Sequence, residues 1–194
     1  MQFVREPSEQ EIRAFLFRQG GERFSYSQVG ASRDGTPIGY DLDHNRVLLG
    51  KGEAAFGTAC AALRRWEMFP KPWTRIEPLG APIRDGTVVA VLAHVFGLWW
   101  LNACRIVYVI DETAPAGRFG FAYGTLPGHV ERGEERFSVE YHASGEVWYD
   151  LRAFSRPRYW PVRLAYPLAR RLQRRFIAES LAAMRKAVAG PDAA

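Results

Sequence analysis

The segment LPGHVERGEE, residues 126–135, gathers His129, Glu131, Glu134 and Glu135 within a few positions. A histidine beside carboxylates can exchange protons near neutral pH, so the spacing is compatible with general acid–base chemistry. His129 with Glu134 or Glu135 is the catalytic pairing it offers. The same residues also suit a polar hairpin loop in which Arg132 balances its acidic neighbours. A second concentration is aromatic. If each apolar strand keeps one face inward, Tyr108, Tyr123, Tyr141 and Tyr149 face inward with Phe119, Phe121 and Phe137. A buried phenol left without a partner costs about 1–3 kcal/mol. Four such hydroxyls are more easily satisfied around a wet or ligand-filled cavity than in a dry core. Tyr108, Phe121, Tyr123, Tyr141 and Tyr149, with Phe176 from the last helix, are therefore the expected ligand-binding set.

Other residue groups point to no chemistry of their own. DHNR at 43–46, directly before a strand, reads first as a turn held by local side-chain hydrogen bonds and second as a group that caps or closes a pocket mouth. His44, His94, His129 and His142 show no metal-ligand spacing, and no metal or cofactor is expected. VLLGKGEAAF at 47–56 lacks the third glycine of a dinucleotide fingerprint and the ending of a P-loop. Cys60 and Cys104 sit in apolar runs and read as inert core thiols. No serine nucleophile elbow is present.

These groups must be positioned by a recognisable series of elements. Ser8 and Glu11 form a capping box that predicts a helix with Ile12, Phe15 and Leu16 on one side, ending at Gly20-Gly21. Gly30, Gly35, Pro37 and Gly39 break residues 24–49, leaving Val47–Leu49 as the expected strand there. Phe56, Ala59, Cys60, Leu63 and Trp66 recur at helical steps, before Pro70 and Pro72. From Thr87 the period becomes two, with strands expected near 87–96, 103–111, 118–126, 134–142 and 146–155. Short spacing without intervening helices reads as an antiparallel meander. A turn at Ala143-Ser144-Gly145 sets Tyr141 opposite Val147, Val139 opposite Tyr149 and Phe137 opposite Leu151, one apolar face. A long amphipathic helix follows over 167–188, with Pro167 in its first turn.

The 194 residues carry a net charge of +5, 47% hydrophobic side chains and two cysteines. That excludes a disordered chain, a coiled coil and a disulfide-stapled scaffold, and predicts one soluble domain spanning 1–194 in a reducing, cytoplasmic setting. Residues 152–186 contain ten basic side chains and one acidic, so the positive charge is local. An arginine-rich helix reads first as a solvated face, second as a contact for a membrane surface. Nucleic acid is not expected, because the aromatics lie on the apolar side.

HNR at 44–46, LGKGEAAF at 49–56, FGFAYGTLPGH at 119–129, GEERF at 133–137 and AFSRP at 153–157 occur in one order. Over Phe24 to Met184 the chain thereby resembles the bacterial and plant family numbered as domain of unknown function nineteen-ninety. That resemblance implies no catalytic residues. More loosely, the chain resembles the START-type helix-grip superfamily, which includes birch-pollen-allergen-like proteins. The resemblance implies an α+β fold, a curved antiparallel sheet wrapped around a long C-terminal helix, with a hydrophobic pocket between them. The function it favours is binding of a hydrophobic or amphipathic small molecule. A cyclase-, isomerase- or hydrolase-like enzyme using His129 and Glu134 or Glu135 is the alternative, and a membrane-surface or scaffold protein is the third.

Overall fold

The computed structural model describes residues 1–35, 37–69, 72–112, 117–158 and 166–190. Short β1 (Gln2–Phe3) leads into helix α1 (Glu9–Gly20), whose cap is the anticipated box. Glu11 N–H donates to Ser8 Oγ at 3.3 Å, and Ser8 N–H donates to Glu11 Oε2 at 2.7 Å. Strand β2 (Asp41–Lys51) runs directly into α2 (Gly52–Arg64). Then come β3 (Thr74–Glu77), β4 (Val88–Val95), β5 (Leu98–Glu112), β6 (Arg118–Thr125), β7 (Glu131–Tyr141) and β8 (Glu146–Pro157), and the chain closes with α3 (Tyr166–Ala189). Among the described residues, no helix is long and apolar enough to cross a membrane.

The strands form one antiparallel sheet in the order β2-β8-β7-β6-β5-β4-β3, with β1 added to β5. The β7–β8 hairpin has the register that its face pattern predicts: Phe137 opposite Leu151, Val139 opposite Tyr149, Tyr141 opposite Val147. Helices α2 and α3 pack on the concave side of this curved sheet, and the fold is the α+β helix grip. Their shared core includes Leu63, Met68, Phe121, Phe137, Tyr149, Leu151 and Met184, all essentially inaccessible.

The convex face is covered as well. Ile12 and Phe15 of α1 pack on Ala90, Leu92, Leu101 and Ala103, the outward residues of β4 and β5. Alternation on β4 is clean: Ala90 and Leu92 meet α1, while Val91 and Ala93 face the concave side. Along β7 and β8 the same outer face carries charge. Arg136 Nη2 donates to Asp150 Oδ1 at 2.7 Å, and His44 Nε2 lies 2.6 Å from Asp150 Oδ2.

Three expectations are corrected. DHNR is no turn, because β2 begins at Asp41 and all four residues are paired to β8, where Asn45 faces Leu151. The LPGHVERGEE segment is a loop only through Val130; Glu131, Glu134 and Glu135 are strand residues of β7. Helix α2 stops at Arg64, before the proline Pro72, and Trp66 turns the chain at φ 59°. Its indole N–H, buried, donates to the Ala81 carbonyl at 2.8 Å.

Candidate functional site

A cavity of about 780 Å³ lies between the concave face and the first half of α3. Strand alternation decides its floor. Val91 and Ala93 of β4, Trp100 and Asn102 of β5, Tyr123 and Thr125 of β6, and Glu131 and Glu135 of β7 all point the same way. Leu168, Leu172 and Phe176 of α3, at three- and four-residue steps, form the roof, and Phe69 meets Phe176 with ring centroids 5.3 Å apart. Trp73 closes one side. Most of this wall is apolar, and the polar groups gather where β7 passes beneath Gln173.

Gly133 sits between the two cavity-facing glutamates. A Cβ there would lie 1.9 Å from the Phe154 carbonyl oxygen of β8, so the strand can pass this close only as glycine. Glu135 accepts the Tyr123 hydroxyl on Oε2 at 2.7 Å. Enclosure in protein pushes its carboxyl up to about 7, against the Tyr123 hydrogen bond, and the charges of Glu131 and Asp43 push the same way as burial. Glu131 is also raised, chiefly by burial, although the Gln173 amide donates to both its oxygens at 2.6 and 2.7 Å. The third carboxylate, Asp43, is neutralised by Arg170 through contacts of 2.7 and 2.8 Å.

His129 borders the same cavity and is half-buried rather than displayed in a charged loop. Glu131 N–H donates to its Nδ1 at 2.9 Å, so that nitrogen carries a lone pair. Burial, then the positive charges of the Met1 amino group and Arg158, lower its pKa to about 3. It is a neutral imidazole near neutral pH. Among the described residues, the buried Trp100 Nε1 meets no hydrogen-bond acceptor.

The expected ligand set is divided by the structure. Tyr123 and Phe176 line the cavity. Phe121 is fully buried against Trp66, with centroids 4.8 Å apart, in the solid core between sheet and α2. Tyr149 is equally buried, its hydroxyl 3.0 Å from Ser180 Oγ of α3. Tyr141 stacks on Phe56 at 5.6 Å. Tyr108 is on the opposite face altogether, because a register shift between Ile106 and Tyr108 reverses the strand's alternation. Its hydroxyl lies 2.7 Å from Ser32 Oγ, and the Arg33 guanidinium covers its ring at 4.2 Å. The common tyrosine-lined cavity is corrected accordingly.

The two glutamates also separate. Glu134 points its carboxylate to the convex side, where Tyr26 Oη (2.6 Å), Gly30 N–H (2.8 Å), Ser32 N–H (3.0 Å) and Ser32 Oγ converge on it. It fastens residues 24–35 to the sheet and is structural. Residues that sequence reasoning passed over include Trp73, Trp100, Asn102, Gln173 and Glu131 as a cavity group. Gln173 alone left a readable trace, a polar side chain interrupting the apolar arc between Leu172 and Phe176. On the outer side of α3, Arg171, Arg174 and Arg185 are exposed, and Arg175 pairs with Glu179 at 2.7 Å. Burial raises both thiols, Cys60 to about 11 and Cys104 well above its ordinary value. Among the described residues, no three His, Cys, Asp or Glu side chains cluster as metal ligands.

Fold and cavity together define a helix-grip protein with a partly acidic interior space under its C-terminal helix. The chain belongs to the family described as "Domain of unknown function (DUF1990)", whose model matches residues 25–183. It is 34% identical to a UPF0548 protein of Dictyostelium discoideum, over 95% of this chain and 94% of that one. It is 41% identical to a UPF0548 protein of Deinococcus radiodurans, over 90% of this chain and 92% of the relative. Among solved structures it resembles the hypothetical protein jhp0584 from Helicobacter pylori, with a TM-score of 0.53 and 13% identity, over 74% of this chain and 85% of that one.

Proposed function

We propose that this protein binds a hydrophobic or amphipathic small molecule between the concave face of its sheet and the first half of α3. The observation that carries this reading is the cavity itself, about 780 Å³ with a predominantly apolar wall. Small-molecule sites are commonly about 300–1,000 Å³, apolar, with few convergent polar groups. Here those groups are Tyr123, Glu135, Glu131 and the indole N–H of Trp100, which has no acceptor among the described residues. Apolar burial against Val91, Leu172 and Phe176 would supply affinity, at about 25 cal/mol per Å². The polar groups would fix orientation. Native mass spectrometry of purified protein tests the reading: a retained small molecule supports it. Leu172→Trp, which fills the space beneath α3, should then abolish that adduct while the fold persists. An adduct unaffected by this substitution would place the ligand elsewhere.

One observation favours a catalytic reading of the same cavity. Glu135, with a carboxyl near 7, is suited to give or take a proton at neutral pH, and neutral His129 lies on the same lining. Turnover of a bound ligand, lost in Glu135→Gln even at saturating ligand, would establish it.

A further inference from the structure

We propose that the ligand carries a cationic hydrogen-bond donor, an amine or ammonium group on an apolar body, seated against Glu135. This deepens the small-molecule reading above and rests on it. The argument begins with what Glu135 lacks. Its Oε2 accepts the Tyr123 hydroxyl at 2.7 Å, and no described residue donates to Oε1. Carboxylates held inside a protein ordinarily collect several donors or a counter-ion. Among the described residues, Glu135 has the one donor and no paired counter-ion. No described lysine or arginine borders the cavity, and Arg170 of α3 is spent on Asp43 through two contacts, 2.7 and 2.8 Å. The Met1 ammonium, also on the lining, donates to the Leu101 carbonyl at 2.9 Å.

Glu131 compounds the deficit. Gln173 gives it hydrogen bonds without charge, and the cation acting on it, Arg170, is already paired with Asp43. Two enclosed acids therefore share a space in which, among the described residues, the one cation on the lining is the Met1 ammonium, turned to the Leu101 carbonyl. Burial, then the charges of Glu131 and Asp43, push the Glu135 carboxyl upward. A ligand cation would relieve this, whereas a fatty acid or phosphate head would add to it. The wall is suited to the same group. Trp100, Tyr123, Phe69 and Phe176 bring aromatic rings to the lining, and such rings attract ammonium ions, as the Arg175 guanidinium 4.6 Å over the Trp73 ring illustrates.

Calorimetric titration with n-decylamine, n-decanol and n-decanoate at about pH 8 separates the possibilities, since the acid is then ionised and the amine still protonated. Decylamine should bind about tenfold or more tighter than decanol, the worth of one charge-assisted hydrogen bond, with decanoate weakest. Glu135→Gln should bring the amine down to the alcohol and leave decanol unchanged. Decanoate binding as well as the amine, or an amine preference that survives in Glu135→Gln, overturns the head-group assignment while leaving the cavity reading intact. Failure of all three chains to bind overturns both. The wild-type comparison needs no variant, and a thermal midpoint for Glu135→Gln checks its fold.

Discussion

At the scale of single residues, neighbouring side chains in one strand have opposite fates. Glu134 and Glu135 are adjacent, yet one carboxylate ties down the 24–35 segment and the other opens into the cavity. Glu135 has its carboxyl raised from 4.5 to about 7 in the folded state, so the native protein holds an extra proton between those values. Its contribution to stability is present below about 4.5 and lost as pH rises through about 7, a swing of about 3 kcal/mol. Glu135→Gln should therefore be more stable than wild type near pH 8, with the advantage vanishing under acid conditions. Urea midpoints measured across that range check it, and a constant offset at every pH would remove the titration as its cause. His129 behaves in the opposite sense. Its imidazole resonances should stay fixed between about pH 5 and 8, because its pKa lies near 3. An ordinary titration curve near 6.5 would mean that burial and the nearby positive charges do not hold the ring neutral.

Strands and helices were unequally legible in the sequence, for reasons visible in particular residues. The β7–β8 hairpin was readable because one register alone makes Phe137, Val139 and Tyr141 meet Leu151, Tyr149 and Val147. Helix α1 was readable because Ser8 and Glu11 cap it reciprocally. The opening of β7 was not, since ERGEE shows no apolar alternation and its inward residues are two acids and a glycine. Nor does any residue at 106–108 announce the irregular register that turns Tyr108 outward. The cavity residues suffered from both gaps. Parity found Tyr123 but could not separate a filled core around Tyr149 from a hollow beneath α3. Packing within that helix gives a direct check. Met184 is wholly enclosed, so Met184→Ala should cost about 2–5 kcal/mol. Leu172 borders existing space, and Leu172→Ala should cost about 1 kcal/mol. Equal losses, read from denaturant melts, would show that both ends of α3 are packed alike. Gly133→Ala should cost about 3 kcal/mol or more, because the new methyl collides with main chain of β8 rather than with a movable side chain.

Across the whole molecule, the sheet is a middle layer. Its concave side is shared by α2 and α3, its convex side by α1 and the 24–35 segment held by Glu134. Beneath α3 that layering is uneven: Ile177, Ser180 and Met184 are buried, while Leu168, Leu172 and Phe176 stand over hollow space. The helix is thus anchored by packed side chains along its later turns and held along its earlier ones mainly by polar contacts, Arg170 to Asp43 and Gln173 to Glu131. In deuterated solvent, amides of roughly the first three turns should exchange through local fraying, while those after Ile177 should wait for global unfolding. The sheet strands between the two covered faces should join the slow class. A molecule lodged under the helix would give the early turns something to rest on, and its arrival should register as new protection confined to residues 168–176.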